Sequence, residues 1–456
     1  MSGDAGTPGT SNNVAAPKPA EAGEETTGIP GTSRNSTNHV VISMARPPFR
    51  DVNEDLFKPL SVPIGPYHRD TRSEIWKPVK KSVAEKIESL VGGECQLRDE
   101  VGELEQAVRE CYGGLDNMNR DELVDMLLED GCYVLSLFVV CPELLPVSTF
   151  SRDQNTVMRD TMYLLENQLP MIVLELIHKC VWPRRSVSVL HDVEMRVREL
   201  LKKQLYIGGE GTPRGEQAEP GHLLQLVHAY FQPQLPDPLP DQDGAQDAEN
   251  TPRQMGRWRR ATEYSRYGNV QLKRRDFQTG VVESILDVRL EGGTLWIPTL
   301  RIDSSTWTIL RNLMALEEHT GTCPSPGTGA GGSPVTAYCM FMSQLASKEE
   351  DTELLKRNGI LDHSWGTDEE VARGFADLWK KAILDVDNVG SNYLGPIWYQ
   401  LHSRCKNRGH NFLGSFRHIH CGDSMRILAF FTAGLLFAFQ LIQVIFAGFS
   451  LRQHGK

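Results

Sequence analysis

Three groups of residues have the types and spacing that chemistry requires. Gly327, Gly329 and Gly332 follow G-x-G-x-x-G, a pattern that at a strand-to-helix junction brings backbone amides against a pyrophosphate. Here Pro324 and Pro326 stand where the strand should be, Pro334 follows, and no phosphate-binding lysine adjoins, so no nucleotide is expected to bind. Asp368, Glu369 and Glu370 could serve as acid and base or hold a cation. They directly follow Thr367, and negative charge in a first helical turn complements the macrodipole, so capping is their expected role. His402, Cys405, His410, His418, His420 and Cys421 carry metal-ligand side chains, but at intervals that lack the short hooks of structural zinc sites. An interfacial basic segment is the expected use of this stretch. No nucleophile elbow, H-E-x-x-H helix or Walker lysine occurs, so no catalytic, cofactor-binding or metal-ligating residue is assigned and no enzyme activity is expected.

The strongest physical signal lies further on, where Ile427 to Phe449 form an uncharged apolar run interrupted only by Thr432, Gln440 and Gln443 among its hydrogen-bonding side chains. Its length as a helix is about 34 Å, enough for a hydrocarbon core of about 30 Å. This predicts a single C-terminal transmembrane helix over 425–451, with a short basic tail at 452–456. At about 100° per residue, Ala429, Ala433, Gln440, Gln443 and Ala447 share one narrow face. Small side chains permit close helix approach and amides bond across helices, so this face is the candidate seam for self-association or pairing with another membrane protein. The lipid bilayer is the first expected partner. Arg404, Lys406, Arg408, Arg417 and Arg426 precede the span against Arg452 and Lys456 after it, which places the bulk in the cytoplasm, on the plasma membrane or an endomembrane. No apolar stretch follows Met1, so no secretory signal peptide is expected.

The remaining composition is that of ordinary globular protein, 40% hydrophobic and 23% charged. A formal charge of −11 argues against nucleic acid as a partner, since phosphate neutralisation needs a basic face. Nine cysteines, odd in number and without a C-x-x-C pair, read as reduced thiols. Residues 1–38 hold almost no large apolar side chains and are expected to be a disordered leader. Residues 39–424 form the globular region, with flexible insertions expected at 208–220, 232–256 and 321–334 from their Gly, Pro and Asp content.

The elements that must position any site are mostly helical. Apolar periodicity predicts helices over Ile75–Val91, Leu97–Tyr112, Arg120–Val140, Thr156–Cys180 and Val187–Tyr206. Within the fourth, Leu164 to Pro170 reads as a buried break whose Glu166, Asn167 and Gln168 can bond freed backbone groups, with Pro170 kinking the chain or opening a new helix. Ile285–Leu290 and Leu295–Ile297 flank Gly292-Gly293, a hairpin signature. Capping boxes are expected at Ser347 with Glu350 and at Thr367 with Glu370. The fold class is therefore mainly α with a small β-hairpin element, a multi-helix globular region followed by one transmembrane helix.

Several strings together carry a resemblance. They are Pro63-Ile64-Gly65-Pro66-Tyr67-His68, Asp130-Gly131-Cys132, Arg159-Asp160, Leu164 to Pro170, Ala261-Thr262-Glu263, Leu295-Trp296-Ile297-Pro298, Arg311-Asn312-Leu313 and Asp368 to Ala372. In content and order the chain resembles a plant family known as domain of unknown function 247, from about Ile42 to Leu451. Pro63 departs from the family's usual serine and Tyr264 from its leucine. The resemblance implies a plant, mostly helical, single-pass membrane protein without established enzymatic activity. Some relatives are linked to pollen-side recognition in grass self-incompatibility, which implies an interaction or recognition role. The alternatives are an enzyme whose site is assembled from distant residues, or a passive membrane scaffold.

Overall fold

Every residue of the sequence Leu164 to Pro170 is buried although none of it is helical, and the helices are arranged around that interruption. The computed structural model describes residues 42–71, 73–91, 96–115, 118–139, 154–209, 220–233, 258–277, 283–320, 332–363, 366–384, 392–407 and 432–445. The first part of the chain forms α1 (Pro47–Arg50), α2 (Ser73–Glu88), α3 (Leu97–Glu103), α4 (Glu105–Cys111), α5 (Arg120–Phe138), α6 (Gln154–Tyr163), α7 (Met171–Val181), α8 (Val189–Lys203) and α9 (Leu223–Tyr230). There follow α10 (Ala261–Gly268), strands β1 (Gln271–Arg275), β2 (Arg289–Glu291), β3 (Thr294–Pro298) and β4 (Leu300–Ile302), then α11 (Thr306–Thr320), α12 (Pro334–Leu345) and α13 (Glu349–Arg357). Strand β5 (Leu361–His363), α14 (Asp368–Trp379) and α15 (Gly395–Lys406) complete the named elements.

Two helices organise the packing. Helix α5 meets α2, α3 and α7, with Gly131 under Ile177 and Val173 of α7 so that the two axes approach closely. Helix α11 is buried on all sides from Thr306 to Glu317 except at Trp307 and packs on α6, α9, α12 and α14. A helix enclosed this way must find partners for its polar side chains inside the protein. The described core is one continuous cluster of buried apolar side chains.

The hairpin forms as expected from its glycines. Glu291 pairs with Thr294 across Gly292 (φ +56°) and Gly293 (φ +92°), the left-handed pair that a tight hairpin turn requires. Strand β2 begins at Arg289 rather than Ile285, because Glu283 and Ser284 amides bond to Asp287 and fold 283–288 into turns. Strand β1 adds in parallel to β3, Leu272 opposite Leu295, and β4 pairs in parallel with β5. Both β1 and β5 lack the apolar alternation that announces a strand, β1 reading Gln-Leu-Lys-Arg-Arg.

Several expected helices are divided or shifted. Leu97–Tyr112 is two helices meeting at Leu104, and Thr156–Cys180 is α6 and α7 separated by the buried break, with Pro170 as the N-cap of α7. The insertion expected over 321–334 ends inside ordered structure, since Pro334 is the first residue of α12. Residues 210–219, 234–257 and 321–331, and the leader 1–38, lie outside the described residues. Among the described residues no helix is long and apolar enough to cross a membrane. Residues 432–445 are helical and exposed throughout, while 425–431 and 446–451 of the expected span lie outside the described residues.

The two expected capping boxes separate cleanly. At α14, Thr367 Oγ1 accepts from the Glu370 amide (3.2 Å) and Glu370 accepts from the Thr367 amide (2.8 Å), a reciprocal box. At α13 the N-cap is Lys348, one residue after Ser347, and no side chain caps the helix. Thr367→Ala is expected to lower stability by about 1 kcal/mol, whereas Ser347→Ala leaves it unchanged within about 0.3 kcal/mol. Urea unfolding of the two variants against the parent chain checks this; equal losses would mean that the cap assignment is wrong.

Candidate functional site

Residues Ser61 to Pro66 are buried without belonging to any helix or strand, so their backbone groups must be served by side chains. Asp160 Oδ2 accepts from the amides of Ser61 (2.6 Å) and Val62 (3.2 Å). Asn167 Oδ1 accepts from Ile64 N (2.7 Å), while its Nδ2 donates to the carbonyls of Val62 (3.1 Å) and Asp160 (2.9 Å). Asp130 Oδ2 accepts from Gly65 N (2.8 Å), and Lys80 bridges Asp130 Oδ1 and the Pro63 carbonyl, both at 2.5 Å. Gly65 is required here: its φ is +71° and an added Cβ would lie 2.7 Å from the Gln168 carbonyl oxygen.

The same seam continues through Gln168 and Glu166. Gln168 Nε2 donates to the carbonyls of Thr161 (3.1 Å) and Leu164 (2.8 Å), and its Oε1 accepts from Leu224 N at the start of α9 (3.0 Å). Fully buried Glu166 accepts from Ala45 N (3.1 Å), with Arg50 Nε at 3.0 Å and His68 Nε2 at 3.4 Å. Arg159 pairs with Asp160 (2.9 Å) and donates to Thr308 Oγ1 on α11 (3.2 Å). Burial raises the pKa of Asp130 against the opposing pull of Lys80, and raises that of Asp160 against the Ser61 amide and Arg159. Burial likewise lowers that of Arg159.

Buried carboxylates beside a lysine, arginines and a histidine have the composition of an acid–base centre. Their geometry assigns them differently, because each carboxylate except that of Glu166 is bonded to both a cation and the amides of 61–65, and Glu166 is bonded to Arg50 and the Ala45 amide. The seam is closed: Asp130, Asp160, Glu166, Asn167 and Gln168 are each at most 2% exposed. Among the described residues an open surface depression lies elsewhere, between α13 and α14, where Ser347, Lys348, Glu349, Glu350, Glu369 and Arg373 line about 400 Å³.

Helix α11 supplies the remaining buried polar groups, and it uses them at helix ends. Glu317 accepts from the amides of Val335 and Thr336 (both 2.8 Å), neutralising the positive end of α12, and lies 2.9 Å from His228. Arg311 donates to the carbonyls of Leu378 (2.5 Å) and Lys380 (3.0 Å) at the negative end of α14, and to that of Phe49 (2.6 Å). Burial pushes its guanidinium down to about 10. Asn312 accepts from Leu165 N and donates to Leu56 O, both at 2.8 Å.

The residues singled out by chemistry are dispersed. Asp368 bonds Lys356 (2.5 Å) and His363 Nε2 (2.7 Å); burial raises its pKa, but these two partners outweigh burial and hold it below the usual carboxylate value. His402 stacks on Trp398 with centroids 5.7 Å apart, and Cys405 Sγ packs beside Gly268. His410, His418, His420 and Cys421 lie outside the described residues, as do Gly327 and Gly329; among the described residues no three metal-ligand side chains cluster. Ala433, Gln440 and Gln443 are exposed on the helix at 432–445, whereas Ala429 and Ala447 lie outside the described residues. Lys80, Arg50 and His228, each essential to a buried pair, carried no recognisable sequence signal. Their partners are 50, 116 and 89 positions away.

Comparison with known proteins supplies the context. The family described as DUF247, plant protein of unknown function, matches residues 42–439. The UPF0481 protein At3g47200 of Arabidopsis thaliana is 24% identical over 408 residues, covering 82% of this chain and 78% of that protein. The putative UPF0481 protein At3g02645, also of Arabidopsis thaliana, is 27% identical over 161 residues, 34% of this chain and 28% of its own length. No solved structure matches.

Two consequences of the buried seam are measurable. Asn167→Ala strands Ile64 N, Val62 O and Asp160 O, and is expected to cost about 2–4 kcal/mol, read as a lowered urea midpoint with an unchanged slope. A loss below about 1 kcal/mol would show that these bonds do not hold the segment.

The second concerns His222, the fully buried N-cap of α9, whose two ring nitrogens have no partner among the described residues and whose pKa burial lowers to about 3. Below an unfolded value of about 6.5 the unfolded chain takes up a proton that the folded chain refuses. This contribution to stability is therefore complete above that value and is lost as pH falls, by up to about 1.4 kcal/mol per pH unit. His222→Leu should make the fall in stability between pH 7 and 5 shallower by about one proton's slope; a fall identical to that of the parent chain would refute the assignment.

Proposed function

From the premise that this chain belongs to the DUF247 family of plant proteins of unknown function, we propose that it is a membrane-tethered interaction protein held by one C-terminal helix. The observation that carries the reading is the exposure of the helix at 432–445. Leu435, Leu436, Phe437, Phe439, Leu441, Ile442, Val444 and Ile445 are each about half or more exposed, a contiguous apolar surface that water does not favour and lipid does. Extension of the same uncharged sequence to Ile427 and Phe449 gives it the length of a bilayer core. The excess of arginine and lysine before the span favours a cytoplasmic bulk. The polar groups of the family strings are used in holding helices and irregular backbone together, which favours a recognition surface built on a rigid scaffold over a reacting centre.

Within this proposal the partner is a protein, met by the globular region or by the amide-bearing face of Ala433, Gln440 and Gln443. Recognition of the kind linked to pollen-side self-incompatibility is the biological setting that the family resemblance favours. Alkaline carbonate extraction of membranes tests the tether directly. Full-length protein is expected in the pellet, and a chain lacking Ile427 to Lys456 is expected in the supernatant with an unchanged circular dichroism spectrum. Full-length protein in the supernatant, or truncated protein retained in the pellet, would overturn the reading.

A further inference from the structure

The sheet formed by β1, β3 and β2 buries Leu272, Leu295 and Ile297 on one side. Alternation along the strands therefore turns Lys273, Arg275, Trp296 and Arg289 to the other. The register sets Lys273, Trp296 and Arg289 in one row across the three strands, and the Lys273 ammonium lies 5.4 Å from the centre of the Trp296 ring. Arg275 stands two residues beyond Lys273, where burial and the nearby Arg289 cation both lower its pKa against Asp287 and Glu291. Of the residues in these strands only Glu291 is acidic. The Arg404 guanidinium of α15 lies against Gly293 in the turn between β2 and β3, and exposed Lys406 follows two residues later.

A protein of net charge −11 thus carries a basic row with a tryptophan at its centre, and the last turn of α15, which holds Arg404 and Lys406, meets the hairpin turn of the same sheet through Arg404. Only 18 residues, 407–424, separate that turn of α15 from the apolar span proposed over 425–451. Fully extended, those residues reach at most about 65 Å, so a tethered globule samples the bilayer surface at high effective concentration. Lysine, arginine and tryptophan together suit a membrane interface: the cations meet lipid phosphates and the indole settles at headgroup level.

We infer that this face docks on anionic phospholipid headgroups of the membrane that holds the C-terminal helix, an inference that rests on the tether reading. Docking fixes one orientation of the globule and leaves the opposite side free for a protein partner. Nucleic acid is a poorer occupant, because a short row of cations neutralises few phosphates of an extended backbone, whereas the proposed tether already holds the face beside the bilayer.

The test uses full-length protein in vesicles of phosphatidylcholine, with or without phosphatidylserine. A water-soluble amine-reactive ester labels lysines, and peptide mass spectrometry reads the rate at each. With phosphatidylserine, labelling of Lys273 and Lys406 is expected to slow several-fold and to recover in high salt, while Lys81 on α2 is unaffected. Arg289→Glu combined with Arg404→Glu should abolish the protection. Equal labelling at Lys273 and Lys406 in both vesicles, with the protein still resistant to carbonate, would overturn the inference and spare the tether. Protection by polyglutamate but not by phosphatidylserine would overturn it in favour of an acidic protein segment. Release of the protein by carbonate would overturn the tether reading, and the docking inference with it.

Discussion

Buried backbone that is neither helix nor strand has to be hydrogen-bonded by something, and in this protein side chains from distant elements serve both Ser61 to Gly65 and Leu164 to Pro170, with Asn167 reaching from the second segment to the first. Asp160 and Asn167 serve the amides of 61–64, and Asp130 serves Gly65 from α5. The exchange draws in Lys80, Arg159 and Arg50, since each of these buried carboxylates needs a cation nearby. Segments about 100 residues apart are thereby linked. The first segment depends on Asn167 of the second, which explains why the polar strings of the family coincide with a core rather than with a cleft.

Helix α11 applies the same economy to helix ends. Glu317 meets the positive end of α12 and Arg311 the negative end of α14, so one enclosed helix places a charge of suitable sign at each of two neighbouring termini. Asp351 of α13 does likewise for α10, accepting from the amide and hydroxyl of Thr262 at 3.0 and 2.6 Å. These contacts are directional, whereas apolar packing is not. They fix the helix order that hydrophobic burial alone would leave open to alternatives.

What the sequence disclosed follows from whether a feature is local. The Gly292-Gly293 turn, the Thr367 box and the break ending at Pro170 depend on residues within a few positions and were legible. The Ser347 box was not, because α13 starts one residue late, with its N-cap at Lys348. Strand β1 escaped notice because its apolar content is a single Leu272; parallel pairing with β3 makes it a strand, and that partner lies beyond an intervening hairpin arm. The candidate site divides along the same line. Glu166, Asn167 and Gln168 could be read as helpers of nearby backbone, but no sequence pattern reveals that Asn167 reaches Ile64 or that Arg50 reaches Glu166.

The last described helix of the globular region, α15, is also held by side chains with little freedom. Trp398 of α15 is fully buried, 5.0 Å from Trp258, which in turn meets Phe341 of α12 at 6.1 Å. Gly268 of α10 permits close approach of Cys405 and Arg404. Helix α15 is therefore held near its start to Trp258, and through it to α12, by aromatic packing, while at its last turn Cys405 and Arg404 meet Gly268 of α10 and Arg404 meets the hairpin turn. Under the proposed tether, α15 and the hairpin turn that Arg404 touches are the parts of the described globular region closest along the chain to the C-terminal helix.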